Sequence, residues 1–580
     1  MKLSKHFKFL KNKFFWIFVV FFVLGIFLRT YNLGSWLHFE LDQSRDAMVV
    51  DNALAGGVAE LPLLGPRAAG SFLRLGPISY YISYLFSLLI NDSVIGSALP
   101  CAFFSILSMI VFYFLMKRYF SKSIALAAGA IFASSLFLIT YARFTWNPNL
   151  LPFFILFFMY ALLRATNEEN KKMRGWWLVA TAAALGILSQ LHFLAMAIIF
   201  VVGVIYLIIK RPKIKILFWG LSVLTVFVLN FPLIVYDVET GGDNVNQLFE
   251  TVNDKTDSKS SRNLLEKTVK NLAENSSMYW IILTGYQDFD MPEFSFSAKK
   301  IIDVECKEIC RRNLLQETLA ASFFAAGFLL LLWRTFREKD SQKKDFLILN
   351  LILFAVSAAV FTLLAYDLSP RFFLVVIALP FVFWGLVMAE ISKFLRARNL
   401  IWILAMVFVA FNLYFTANLF TQLADAKNES IEMETDRIMK QKTRITLEQQ
   451  EMIADYMAEQ YNKNKYPIFY RAQSEYHRAF GYLLDRRQIP RDGMEAGDKS
   501  DICAHGNYFL IMRTQSDKTA FFVKYFSKFS IEGEKQFGTL TVYTLMPKPD
   551  SVNCLDADQS KFRSIDNDER YTWRKVFDEK

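Results

Sequence analysis

The sequence predicts a polytopic α-helical membrane protein with a small α/β domain at its C-terminal end, on three observations. Of 580 residues, 54% are hydrophobic and 16% aromatic, with 58 Phe, 21% charged and a mean hydropathy of +0.27; that is too apolar for a stack of soluble domains. Apolar runs fill most of residues 14 to 424, whereas 425–580 read as soluble. The 65 Lys and Arg gather in short clusters between the runs, as in cytoplasmic membrane loops. The net charge of +11 therefore implies no nucleic acid partner.

The elements follow in order. Lys2, Lys5, Lys8, Lys11 and Lys13 precede an apolar run from Phe14 to Leu28 with no small-residue cleavage site after it, which predicts an uncleaved first span and a cytoplasmic N-terminus. Later basic clusters, Lys117 to Lys122, Arg164 to Arg174, Lys210 to Lys215, Arg334 to Lys344 and Lys393 to Arg398, belong on the same side. Between them fit spans at about 14–30, 94–116, 123–141, 149–163, 176–190, 192–209, 216–236, 317–333, 346–366, 371–389 and 400–421. The fold class is thus a bundle of about 11–13 transmembrane helices, of which eleven are assigned. Residues 76–90 would break the inside-outside parity and are assigned to a juxtamembrane or re-entrant helix.

Parity places residues 31–93, the turn 141–149, Gln190-Leu191-His192, the long loop 237–315, the turn 367–370 and the tail on the extracytoplasmic side. Every polar feature that looks chemical falls there. The span interiors hold essentially no Asp, Glu, Lys or Arg, with His192 at an outer end. Coupled transporters keep carboxylates or broken helices at the midplane, so the composition argues against that class.

The first outer loop holds Glu40, Asp42, Asp46, Asp51 and Glu60 against Arg45. A carboxylate at the interface, partly buried and raised in pKa, suits general-base work on a lipid-borne substrate. The plain alternative is an acidic loop that simply stays outside. The run Phe39-Glu40-Leu41-Asp42-Gln43-Ser44-Arg45-Asp46-Ala47, followed by Gly76-Pro77-Ile78-Ser79-Tyr80-Tyr81, resembles the first outer loop of the GT-C glycosyltransferases. It is most similar to the dolichyl-phosphate-mannose-protein mannosyltransferase and aminoarabinose transferase branch. Three later stretches agree in order: Tyr141 to Asn149, Gln190 to Phe193, and Ser369-Pro370-Arg371-Phe372-Phe373 running to Pro380.

The resemblance implies a GT-C fold and an inverting, single-displacement transfer of a sugar from a polyprenyl-phosphate donor to a protein, glycolipid or polysaccharide acceptor. Asp42 matches the family's catalytic Asp and is the implied base. The usual neighbouring Glu is Gln43 here, which leaves a second acid to Asp46 or Glu40. A divalent metal ion on Asp42 with Asp46 or Glu40 stays open. The leaving phosphate needs cations or donors from among Arg371, Arg143, His192 and Arg45, with Arg67 and Arg74 also on that side; Arg371 and Arg143 could equally snorkel to the headgroups. Trp146, Asn147, Asn149 and Gln43 could stack on or hydrogen-bond a sugar or acceptor.

The loop 237–315 is long enough to cover an active site. The tail predicts a helix over Ser430–Tyr461, strands at 467–471, 508–512 and 539–545, and helices at 472–484 and 519–525. Cys306, Cys310, Cys503 and Cys554 lie outside by this topology, permitting Cys306 with Cys310 and Cys503 with Cys554. The competing function class is a lipid-carrier flippase, exporter or envelope-assembly scaffold, which would need polar residues lining a transmembrane path.

Overall fold

The computed structural model describes residues 13–68, 72–257, 264–289, 292–295, 303–364, 368–394, 398–433, 436–494, 501–516, 523–562 and 570–578. The lysines from Lys2 to Lys11 and most of the expected helix 519–525 lie outside the described residues. Helix α1 (Lys13–Thr30) leads into α2 (Leu41–Gly56) and α3 (Ile78–Ile90), followed by α4 (Ser93–Lys117). Helices α5 (Lys122–Ser134) and α6 (Leu136–Ala142) form a bent pair, then come α7 (Leu151–Asn167), α8 (Lys171–Leu191), α9 (Phe193–Lys210) and a second bent pair, α10 (Ile216–Leu229) and α11 (Phe231–Glu239). The insertion carries α12 (Asp243–Asp257), α13 (Leu264–Thr284), antiparallel β1 (Glu293–Ser295) and β2 (Asp303–Glu305), and α14 (Glu308–Arg312). Helices α15 (Leu314–Arg337), α16 (Ser341–Leu364), α17 (Ala378–Phe394) and α18 (Arg398–Asp425) complete the bundle.

All eleven expected runs are helical, but among the described residues seven helices are long and apolar enough to cross a membrane, nine if each bent pair is one span. The remaining two fall short for local reasons: α8 opens on Lys171, Lys172 and Arg174, and α17 has 17 residues. Helix α3 has 13 residues, about 20 Å at 1.5 Å per residue, against a hydrocarbon layer of about 30 Å. Its Ser79, Ser83 and Ser87 are buried while Leu85, Leu88 and Leu89 are exposed. Small residues let it lie close on α4, where a Cβ on Gly96 would come within 2.5 Å of the Ser87 Cα.

The bend of 51° between α5 and α6 strips backbone groups of helical partners inside the bundle. Arg29, fully buried, donates to Ala133 O (2.7 Å), Gly25 O (3.0 Å) and Ser105 Oγ (2.8 Å). Asn412 accepts from Leu136 N–H (2.8 Å) and donates to Leu283 O (2.6 Å). Ser135 Oγ donates to Ile282 O (2.7 Å). Arg29 thus corrects the expectation of span interiors empty of charge: it lies at the end of α1 in sequence but packs inward.

The second correction concerns the loop 237–315. It is not all a polar cover, because Ser276 to Thr284 of α13, Trp280 apart, are buried, with Tyr279 against Phe324 and Phe383. The polar first half of α13 and the short apolar stretch 278–283 hid it from a span-length criterion.

The tail contains α19 (Leu447–Asn464), β3 (Ile468–Ala472), α20 (Ser474–Arg486), β4 (Arg491–Gly493), β5 (Asn507–Arg513), β6 (Phe529–Phe537), β7 (Leu540–Pro547) and α21 (Trp573–Asp578). The sheet order is β4-β3-β5-β7-β6, with β4, β3 and β5 parallel and β5, β7 and β6 antiparallel. Ile468, Tyr470, Phe509, Ile511 and Val542 form one packed face with Ile453 and Met457 of α19 and Phe480 of α20. The expected helix from Ser430 starts only at Leu447, because Thr446 and Gln449 form a capping box there. Strand β6 was not expected: it is an edge strand with few buried positions, so its sequence lacks the apolar alternation. Cys306 pairs with Cys310 and Cys503 with Cys554.

The domain sits on the segment between α1 and α3. Leu447 N–H donates to Leu37 O (3.0 Å), Gln450 Nε2 to Phe39 O (2.8 Å) and Tyr482 OH to Asp51 Oδ2 (2.6 Å). The β6–β7 turn needs Gly538, whose φ is +59° and whose Cβ would stand 2.0 Å from Ala426 O. Asn412→Leu strands Leu136 N–H and Leu283 O and should destabilise the fold by about 1–3 kcal/mol for each stranded group; thermal unfolding of the purified variant in detergent, expected at a lower temperature than wild type, checks this.

Candidate active site

Helix α2 starts where the chain leaves the first apolar helix. Glu40 N–H donates to Gln43 Oε1 (3.1 Å), and Gln43 Nε2 donates to Thr145 O (2.9 Å). Gln43 is therefore a tether between α2 and the turn after α6, not an exposed sugar ligand. The residue that departs from the family's Asp-Glu pair fixes the loop beside Trp146 instead.

One helical turn brings Asp42, Arg45 and Asp46 together. Arg45 Nη1 donates to Asp42 Oδ1 at 2.8 Å, while its Nε and Nη2 donate to Asp46 Oδ1 at 2.9 and 2.7 Å. Tyr80 OH, from α3, adds a third bond to Asp46 Oδ1 at 3.2 Å. The two carboxylates are unequal: the Asp42 side chain is 41% exposed and that of Asp46 3%. Burial pushes the Asp46 carboxyl up from its ordinary value and nearby Asp42 adds to this, against the pull of Arg45 and Tyr80. Burial opposes the charge on Arg45, yet Asp46 and Asp42 hold it well above the usual range. Arg45 is thus committed to the carboxylates.

Glu40 is also engaged: Gln441 Nε2, from the tail, donates to it at 3.2 Å, and His38 Nε2 stands 3.7 Å away. Tyr80, His38 and Gln441 were not singled out in the sequence. The tyrosine follows the Gly-Pro pair and carried a signal, but Gln441 is far from Glu40 along the chain and carried none.

Arg371 sits in a turn of 3-10 helix, Pro370–Leu374, with its guanidinium 4.9 Å from the Trp146 ring centre and 5.6 Å from that of Phe372. It makes no hydrogen bond or ion pair among the described residues, and it lies within electrostatic reach of Asp42. The His192 ring packs on Phe372 at 6.0 Å, and its Nδ1 accepts from Leu194 N–H (3.2 Å), capping α9. A Cβ on Gly76 would strike the Gln190 side chain at 2.3 Å, while Gln190 Oε1 accepts from Ile78 N–H (3.3 Å). All four sequence stretches therefore meet.

Some expected residues do not join them. Arg143 is buried and spends its donors on Leu28 O (3.2 Å) and Tyr31 O (2.8 Å), with Phe420 beneath it at 4.9 Å; it ties α1 to the turn. Asn149 Nδ2 closes its own turn on Phe144 O (2.8 Å). Asn147 is buried, lining a small space with Asp46, Ser79 and Ser97, and its Nδ2 finds no partner. A divalent cation fits poorly: Arg45 lies between the two carboxylates, and no group of three His, Cys, Asp or Glu among the described residues is arranged to hold one.

The helix bundle with its broken spans, the helix bearing Asp42 and the appended α/β domain form a GT-C fold. The family model for dolichyl-phosphate-mannose-protein mannosyltransferase matches residues 75–236. ArnT from Cupriavidus metallidurans in the apo state is similar with a TM-score of 0.53 and 11% identity, over 91% of this chain and 97% of that one. The same protein bound to undecaprenyl phosphate gives 0.51 and 12%, over 92% and 97%. No curated protein matches the sequence significantly.

Because the folded Asp46 holds its proton more tightly than an unfolded chain does, its contribution to stability is full below the ordinary carboxylate value of 3.8 and is lost as pH rises through the raised folded value. Asp46→Asn should flatten the stability profile from pH 3.8 upward relative to wild type; melting temperatures across that range check it.

Proposed function

We propose that the chain transfers a sugar from a polyprenyl-phosphate donor to an acceptor hydroxyl on the extracytoplasmic side of the membrane. The observation that carries this reading is the meeting of one accessible carboxylate, Asp42, with an uncommitted guanidinium, Arg371, on an aromatic platform, Trp146. The fold likeness to ArnT adds a lipid-phosphate precedent, since that protein is known bound to undecaprenyl phosphate.

In this reaction the acceptor oxygen attacks the anomeric carbon, its proton passes to Asp42, the bond from that carbon to the phosphate oxygen breaks, and the lipid phosphate leaves. One displacement inverts the anomeric centre. Asp42 suits the base role because one of its oxygens is oriented by Arg45 while the side chain remains open. Arg371 suits the leaving phosphate because its planar fork has donors to give. Asp46, buried and triply bonded, suits the task of holding Arg45. The acceptor class extends to a protein, glycolipid or polysaccharide hydroxyl, and the sugar to a hexose or pentose.

The orientation we propose is supported by the basic helix ends, two of which pair across helices, Lys210 with Asp345 and Arg334 with Glu390, while Arg164 pairs with Glu168 at the end of its own helix. We assign these ends to the cytoplasm, with the N-terminus, and the Asp42 end and α/β domain to the outside.

Purified protein in nanodiscs, given radiolabelled polyprenyl-phosphate sugars and an envelope extract as acceptor, should form labelled product. Asp42→Asn should lower the rate at least about 100-fold with the fold intact; transfer at the wild-type rate would move the base elsewhere. Arg371→Gln should raise the KM for donor about tenfold or more, the worth of one charge-assisted phosphate contact; an unchanged KM would remove Arg371 from the donor site.

A further inference from the structure

A cavity of about 790 Å³ lies in the C-terminal domain, within the size range of about 300–1,000 Å³ of small-molecule sites. It runs from the sheet face opposite α19, around the carboxyl ends of β3 and β4, to the first turn of α20. Its floor is aromatic: Phe469, Tyr508, Phe529 and Phe562. The Cys503–Cys554 disulfide pins the loops that form one wall.

The opposite end is bounded by Arg471, His477, Arg478 and Leu41. Leu41 is the first residue of α2 and the covalent neighbour of Asp42, so the cavity opens beside the candidate base. Most acids of the lining are already engaged. Asp556 is bound by His505 (2.8 Å), Asp558 by Lys561 (3.4 Å), and Asp492 accepts from Gly493 N–H (2.7 Å). Arg491 is bidentate on Asp485 at 2.7 and 2.8 Å. Arg471 is exposed and has no ion pair among the described residues, so the end beside Leu41 offers one guanidinium to an anionic ligand. His477 stacks on Tyr470 at 4.6 Å, with its Nδ1 buried and without a hydrogen-bond partner. Burial and the surrounding arginines hold its pKa down to about 4, so at neutral pH the ring is uncharged.

Sugar rings present apolar C–H faces that suit an aromatic floor and hydroxyls that suit a polar rim. We propose that this cavity holds the acceptor, a saccharide bearing an anionic substituent, with its rings on the aromatic floor, its anionic group on Arg471, and its reactive hydroxyl carried past Leu41 to Asp42. The inference rests on the glycosyl-transfer reading and names where and what the acceptor is.

The test uses full-length protein in nanodiscs and two probes, trigalacturonate and its uncharged methyl ester, titrated calorimetrically. Wild type should bind trigalacturonate at least tenfold more tightly than the ester. Arg471→Glu should abolish that preference, and Ser474→Trp, which fills the mouth beside His477, should weaken both probes at least tenfold. Lys463→Glu, the same charge change on the exposed side of α19, should alter neither. Absence of binding to wild type, or binding that both cavity variants leave unchanged, overturns the proposal. Transfer activity measured alongside separates the two readings. Probe binding in the cavity without any sugar transfer would fault only the reaction, whereas transfer whose acceptor KM ignores both cavity variants would fault only the cavity.

Discussion

A helix that breaks inside a membrane bundle leaves backbone N–H and C=O groups with no water to satisfy them, and the architecture around the site depends on how one such break is repaired. Between Ser134 and Leu136 the carbonyl side is met by Arg29 and the amide side by Asn412. With those partners in place, the chain can turn at Ser135 and direct α6 toward the turn that carries Thr145 and Trp146. The same Asn412 reaches Leu283 at the end of α13, so the inserted helix and the broken span are held by one side chain. Arg29 has its cost of burial offset by several carbonyl and hydroxyl acceptors, the condition under which a charge persists in such a place.

From that turn outward, each contact joins two separate stretches of sequence. Gln43 links α2 to Thr145, Trp146 carries Arg371, Phe372 carries His192, and Gln190 fills the space that Gly76 leaves. The arrangement divides the two carboxylates of α2 by environment. Asp46 lies where desolvation is largest and is bonded by Arg45 and Tyr80; Asp42 lies one turn nearer the helix start and stays accessible. An acid that is half open and oriented by one arginine nitrogen retains an oxygen for chemistry, which a fully paired one does not.

The bundle was legible because apolar runs and basic clusters are local properties of the chain, and all eleven runs are helices. Length failed as a criterion where composition changes within one helix: α13 is polar for its first half and buried for its second. Arg29 escaped the reading of the span interiors because sequence shows position along the helix and not the face it turns to. The four stretches of the site were legible as motifs in order, and Arg371, Trp146 and Asp42 do converge. Arg143, Asn149 and Gln43 make other contacts than the motifs imply, since their groups face the protein's own carbonyls. Distinguishing a ligand from a tether needs the third dimension. Gln441 and His38 around Glu40 could not have been found from spacing, because the bond joins the tail to the first loop.

Helix α2 is consequently held on three sides by three different parts of the chain: Thr145 through Gln43, α3 through Tyr80, and the C-terminal domain through Tyr482 on Asp51. A 16-residue helix that carries Asp42, Arg45, Asp46 and Asp51 among its apolar residues has little reason to be ordered alone in water or at an interface. Its order comes from these contacts, and one of the three is supplied by the soluble domain. The C-terminal domain is therefore part of the framework that sets the position of Asp42, and its cavity, reaching Leu41, is continuous with the helix it helps to hold. A carboxylate misplaced by 1 Å loses much of the benefit of orientation, so under the proposed reaction a domain that packs on α2 bears on how Asp42 is placed.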